Sequence, residues 1–258
     1  MPKAPVSGTE LYYEVHGAGP DVVLAHGVGG NHASWAFQLP FLSRWYRVIT
    51  FDHRGFGNSA ESPERPGRAA FVEDLRQLLD HLGIDRAALV SQSMGGHTCL
   101  AFTLAYPGRG AALVLSDSLP ALDLPGRYNE IMKAATAATE HLSQQERVLS
   151  GGFRRQRPEL AELYAQVASF NHYDRRSLAG RLPPVTPAQL AGLQVPVLFI
   201  AGAEDVLFPP EAVKLAASLA PGSRFIAVEG AGHSPYFEQP EVFNHLVRSF
   251  LEQNLQRR

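Results

Sequence analysis

Short, unbroken apolar runs alternate with helical stretches along most of this chain, and that rhythm leaves few folds open. Val22-Val23-Leu24-Ala25, Arg47 to Phe51, Ala87 to Val90, Ala111 to Leu115, Val195 to Ala201 and Arg224 to Val228 read as strands, most of them too uniformly apolar to show a face to water. Helical patterns fall between them, from about His32 to Leu42, Arg68 to Leu82, Gly95 to Tyr106 and Pro210 to Leu219, with a last one from Pro240 to Gln253. Strands buried on both faces belong to a mostly parallel sheet covered by helices, so the expected class is α/β. Upstream, Leu11 to His16 alternates as a half-exposed strand does, and Gly17-Ala18-Gly19-Pro20 supplies a turn.

The rhythm stops between residues 119 and 189. That stretch is helical and polar, it carries Arg147, Arg154, Arg155, Arg157, Arg175, Arg176 and Arg181, and it holds no buried-strand run. It reads as a helical cap, 119–189, inserted into one core formed by 1–118 and 190–258. At 258 residues and 45% hydrophobic content, one domain with such an insertion fills a sizeable core.

A net charge of -2 gives no field for holding nucleic acid or an anionic membrane. The lone cysteine, Cys99, sits in an apolar helical stretch and reads as core packing, and no Cys/His spacing suggests a metal. No apolar segment is long enough for an export signal or a membrane span, so a cytoplasmic location is expected. Neither cofactor nor metal is expected, and monomer and homo-oligomer remain equally open.

Chemistry concentrates at Val90-Ser91-Gln92-Ser93-Met94-Gly95-Gly96, which joins a buried strand to a helix and sets Ser93 between small residues two positions away on each side. A serine-glycine helix cap is the plain alternative. The segment resembles the nucleophile elbow of the α/β hydrolases, with Ser91 where that family usually has glycine. The resemblance implies an eight-stranded, mostly parallel sheet with helices on both faces, and it gains weight from three other strand ends. His26-Gly27-Val28-Gly29-Gly30 is similar to the family's oxyanion loop, which implies that the backbone N–H groups of Val28 and Met94 stabilise a developing alkoxide. Gly202-Ala203-Glu204-Asp205 resembles the segment carrying the family's acid, with Glu204 and Asp117 as rivals. Gly232-His233 completes the chain order Ser, Asp, His as the general base. Asp52-His53-Arg54-Gly55-Phe56-Gly57-Asn58-Ser59 resembles a further family loop and is assigned to structure.

Dehalogenases and epoxide hydrolases of the family carry aspartate at the elbow, so a serine there implies acyl transfer to water. Esters and lactones cleaved through an acyl-enzyme are the expected substrates, by likeness to 3-oxoadipate enol-lactonases and small esterases. Carbon-carbon hydrolysis of the meta-cleavage type, perhydrolysis by cofactor-free haloperoxidase relatives, and a receptor with vestigial turnover are the alternatives; Ser234, where the meta-cleavage group typically has tryptophan, weighs against the first. Met94, Trp35, Phe208, Tyr236 and Phe237 are candidates for the substrate pocket, with core packing as the other reading of Trp35 and Phe208. The cap arginines are expected either to recognise an acidic acyl group or to form a solvated face.

Overall fold

Eight strands hydrogen-bond into a single sheet in the order β1-β2-β4-β3-β5-β6-β7-β8 in the computed structural model, which describes residues 1–119, 122, 124, 126–173 and 177–255. The strands are β1 (Lys3–Val6), β2 (Thr9–His16), β3 (Asp21–Ala25), β4 (Arg47–Phe51), β5 (Ala87–Gln92), β6 (Gly110–Ser116), β7 (Val197–Gly202) and β8 (Arg224–Val228). β1 pairs antiparallel with β2, and β2 antiparallel with β4; every other pairing is parallel. The fold is therefore the expected mostly parallel, eight-stranded α/β sheet.

Side-chain alternation divides the core into two layers. Val23, Ile49, Leu89, Leu113 and Phe199 point to one face, where Leu75 and Leu78 of α2 (Phe71–His81), Cys99 and Phe102 of α3 (Met94–Ala105) and Val213 of α9 (Pro210–Ser218) cover them. Val22, Val48, Val90, Val114 and Ile200 point to the other, covered by Leu42 of α1 (Leu39–Leu42) and by Phe243, Val247 and Phe250 of α11 (Pro240–Asn254). Cys99 is fully buried in the first layer, and burial pushes its thiol up to about 12, which keeps it an inert packing group.

β1 and the first expected helix depart from the sequence reading, and the helix expected from Arg68 opens with a 3-10 turn, Gly67–Ala70. β1 is a strand in a segment that looks polar, because Ala4 and Val6 alone turn inward while Lys3 and Pro5 face out from the sheet edge, where a proline is tolerated. The helix expected from His32 to Leu42 is instead a 3-10 turn, His32–Trp35, followed by α1. Asn31 and Ser34 close a capping box on the turn, and Pro40, with no N–H to donate, fits at the start of a new helix but not inside a continuous one.

Between β6 and β7 lie α4 (Arg127–Thr139), α5 (Gln144–Val148), α6 (Gly151–Gln156), α7 (Pro158–Ser169) and α8 (Pro187–Ala191). Leu190 of α8 and Tyr128 and Ile131 of α4 are buried in the first core layer, Phe153 of α6 and Ala161 and Tyr164 of α7 in the second, and residues of α4, α5 and α7 also line the cavity that holds Ser93. Among the described residues no helix is long and apolar enough to cross a membrane.

Candidate active site

β5 ends at Gln92 and α3 begins at Met94, leaving Ser93 to turn the chain with φ 51° and ψ -116°. A non-glycine residue at such a φ is strained, and local contacts hold it there. The Ser93 N–H donates to Ser116 O (3.0 Å) and its carbonyl accepts from Ser118 Oγ (2.7 Å). The helix can pass this close to the sheet only over glycine: a Cβ on Gly95 would meet Ala25 O at 2.2 Å, and one on Gly96 would meet Ser118 Oγ at 2.1 Å. Ser91 fits in place of glycine because its hydroxyl, fully buried, donates to Val114 O at 2.6 Å.

Asp205 follows β7 by three residues, and His233 follows β8 in a small-residue loop. His233 Nδ1 lies 2.9 Å from Asp205 Oδ2, and both side chains are buried. The other carboxylate oxygen, Oδ1, accepts the Leu207 and Phe208 N–H groups at 2.7 and 3.1 Å, which fixes the carboxylate plane. On the far side, Gln92 Nε2 donates to His233 O at 2.9 Å, tying the histidine loop to the strand that delivers Ser93. With Nδ1 engaged by Asp205, Nε2 is the ring nitrogen left for proton transfer. Ser93 and His233 line the same cavity, of about 990 Å³, together with Val28 and Met94. As first residue of α3, Met94 has a backbone N–H with no acceptor inside the helix, which suits it to a ligand oxygen.

Asp117, the rival acid, stands behind this pair. Its Oδ1 accepts the Gly202 N–H and its Oδ2 the Ser116 hydroxyl, both at 2.7 Å. Burial, and then the neighbouring charge of Asp205, hold its carboxyl well above the usual carboxylate range, which favours its protonated form. Asp117, Asp205 and His233 bring one potential ligand atom each to within 4.8 Å of one another. All four carboxylate oxygens already accept from, or lie against, protein donors, so the cluster is a hydrogen-bonded network rather than an open metal cradle.

Of the aromatic residues expected at the pocket, Phe208 lines the cavity, and its ring lies 5.2 Å from that of His233. Trp35, Tyr236 and Phe237 do not line it. They pack in the second core layer, Trp35 against Tyr236 with ring centroids 5.0 Å apart, and Tyr236 and Phe237 border only a recess of about 10 Å³. Next to Phe237 stands Glu238, at the end of α10 (Pro235–Glu238), which the sequence reading did not single out for a role. Its Oε1 accepts the Gly232 and Ser234 N–H groups at 2.8 and 3.2 Å, and its Oε2 the Ser150 N–H at 2.7 Å. This one carboxylate holds both neighbours of His233 and fastens the loop to the start of α6.

The 52–59 loop is structural in these contacts. Asp52 Oδ1 accepts the His32 N–H at 2.6 Å and Oδ2 the Asn58 N–H at 2.8 Å. Arg54, 1% exposed, grips Asp74 through two hydrogen bonds of 2.6 and 2.5 Å. Of the cap arginines, Arg147 reaches the cavity, whereas Arg154, Arg155, Arg157 and Arg181 do not line it. Arg175 and Arg176 lie outside the described residues. Arg68, which the helical pattern gave no role, does line the cavity.

Comparison with known proteins agrees with this arrangement. Residues 20–240 match the family model described as alpha/beta hydrolase fold. RutD of Caulobacter vibrioides, a proposed carbamate hydrolase, is 31% identical over 94% of this chain and 95% of its own. Among solved structures, a malate-bound thermophilic esterase from Thermogutta terrifontis superposes with TM-score 0.83 at 29% identity, covering 99% of each chain. The enol-lactonase from Burkholderia xenovorans gives 0.76 at 26%, covering 97% of this chain and all of that one. With a parallel sheet that gathers its functional loops at one edge and a family match spanning most of its length, this chain belongs to the α/β-hydrolase family and is a hydrolase.

Proposed function

We propose that the chain is a serine hydrolase that cleaves a carboxylic ester or lactone. Ser93 attacks the acyl carbon, His233 Nε2 takes the hydroxyl proton and returns it to the leaving alkoxide, and Asp205 holds the imidazole in the productive tautomer. The Val28 and Met94 N–H groups receive the oxyanion; two such donors stabilise a transition state by roughly 3 kcal/mol each. The acyl-enzyme is then hydrolysed by water that His233 activates in the same way. One observation carries the reading: the 2.9 Å contact between His233 and Asp205 stands at the wall of the cavity that also holds Ser93 in its strained turn. The esterase and enol-lactonase among the structural relatives point to the same substrate class.

The test is steady-state hydrolysis of 4-nitrophenyl esters and of lactones by wild type and Ser93→Ala. The variant is expected to lose about three orders of magnitude or more in kcat. Full activity in that variant overturns the assignment, and turnover of carbamates well above esters, as the name of RutD suggests for that protein, would move the substrate class while leaving the triad in place.

A further inference from the structure

The cavity that holds Ser93 is unevenly charged. Among the described residues, its basic and imidazole lining comprises Arg68, Arg147, His97, His172 and His233 against one carboxylate, Glu140 at the exposed rim. Arg68 stands apart within this set. It is half-buried, its Nη1 donates to Leu178 O at 3.1 Å, and no carboxylate partner is found for it among the described residues. Arg54, fourteen residues earlier on the same loop, shows the ordinary arrangement: it too is withdrawn from water, but it is clasped by Asp74, which more than offsets the desolvation and raises its pKa. Burial pushes the Arg68 guanidinium the other way, down, with no anion to offset it. A partly desolvated cation is costly to keep unless something negative comes to it.

The guanidinium is also held in place. Arg68 lies in the 3-10 turn Gly67–Ala70, and its N–H donates to Ala179 O at 3.0 Å. Gly67, at φ 53°, lies so close to the facing segment that a Cβ there would meet Ala179 O at 2.3 Å. The turn and residues 178–180 are thus locked backbone to backbone, and the side chain extends from that clamp to the cavity wall. His97 neighbours it: the charge on Arg68 is among the causes that lower the His97 pKa, after burial. His97 stands one turn along α3 from Ser93, about 6 Å of helix rise.

We propose that Arg68 is a carboxylate-binding subsite, and that the preferred substrates are esters or lactones whose acyl chain carries a second carboxylate several bonds beyond the scissile carbonyl. The inference rests on Ser93 as nucleophile for the direction of the acyl chain. A guanidinium fork matches a carboxylate with two parallel hydrogen bonds, and an anion at that distance from the reacting carbon is bound alike in ground and transition states. The effect of Arg68 therefore falls on binding and KM rather than on kcat.

The experiment separates binding from turnover. Calorimetric titration of the Ser93→Ala protein with the monomethyl ester of adipic acid and with methyl hexanoate compares two chains of equal length that differ in one terminal carboxylate. The half-ester is expected to bind at least tenfold tighter; Arg68→Gln in the same background removes the difference, and Arg68→Lys retains part of it. The half-esters of succinic, glutaric and suberic acids then report the optimal reach. Equal affinity for the two adipate-length ligands, or a preference that survives Arg68→Gln with the fold intact by circular dichroism, overturns the subsite. Because these titrations need no catalysis, their outcome is independent of whether wild type and Ser93→Ala differ in ester hydrolysis, which tests the nucleophile alone.

Discussion

Two carboxylates crowd behind His233, and replacing each by its amide should have opposite consequences. Asp205 contacts Nδ1 directly and is held by two backbone N–H groups. In Asp205→Asn the amide either presents its own N–H to Nδ1 or favours the wrong tautomer, so kcat is expected to fall by about 10⁴, as loss of the orienting acid does in other triads. With the Asp117 carboxyl held well above the usual range, Asp117→Asn copies its protonated form with a neutral, isosteric group: the amide oxygen keeps the Gly202 N–H, the amide nitrogen takes the place of Oδ2 and donates to the Ser116 hydroxyl oxygen, and kcat should stay within about threefold. Stability then reports the proton. In the folded chain the Asp117 pKa is raised by burial and by Asp205, whereas in the unfolded chain it returns to about 3.9. Between those two values the folded state binds one proton more than the unfolded state. The stability Asp117 contributes is therefore complete below about pH 4 and is lost as pH rises toward the folded pKa, at up to about 1.4 kcal/mol per pH unit. Urea unfolding of wild type and Asp117→Asn from pH 5 to 8 should show the variant gaining on wild type as pH increases. A gap that does not change with pH, or an Asp117→Asn enzyme as crippled as Asp205→Asn, refutes the protonated-neighbour account.

Glu238→Gln keeps one acceptor oxygen but must turn its amide nitrogen toward either the Ser150 N–H or the pair at Gly232 and Ser234, leaving a buried donor without a partner. The expected cost is about 1–3 kcal/mol by urea unfolding, with a fall in kcat because both neighbours of His233 lose their anchor; an unchanged midpoint and kcat would show the carboxylate to be dispensable. Gly202→Ala places a Cβ 1.8 Å from Gly232 O, a backbone atom that cannot move without the His233 loop. Destabilisation of about 1–3 kcal/mol together with loss of ester hydrolysis is expected, and a variant as stable and active as wild type would contradict the close approach.

What the sequence disclosed depended on how local each determinant is. Strands buried on both faces are legible because every residue in them is apolar, and the elbow is legible because its small residues answer to a turn only a few residues long. β1 escaped notice because only Ala4 and Val6 face inward in a four-residue edge strand. The helix over residues 32–42 broke at Pro40, a signal present in the sequence but outweighed by the apolar residues around it. Glu238 could not be recognised, since one of its three partners is the Ser150 N–H, 88 residues away, and nothing in a helix-start proline-aromatic segment marks its glutamate as buried. Arg68 was hidden for a related reason. It reads as the polar face of an amphipathic helix, yet the first turn is 3-10, and the segment that covers it comes from residues 178–180.

Long-range contacts of the same kind tie the helices between β6 and β7 to the loops at the end of the sheet. The Asn31 side-chain amide, just after the 26–30 loop, donates to Val167 O near the end of α7, and the Gly57 N–H donates to Asn171 Oδ1. Ser234, next to His233, donates its hydroxyl to Tyr164 of α7, and Glu238 reaches Ser150 at the start of α6. α6, α7 and the residues just after α7 are thus bonded to the loops that hold Asn31, Gly57 and His233. A rigid-body shift of α6 or α7 would pull on the His233 loop and the 26–31 loop through these hydrogen bonds. Substitutions that loosen this docking should consequently lower kcat as well as raise KM, whereas Arg68, clamped to the 178–180 segment and bonded to neither loop, should affect KM alone.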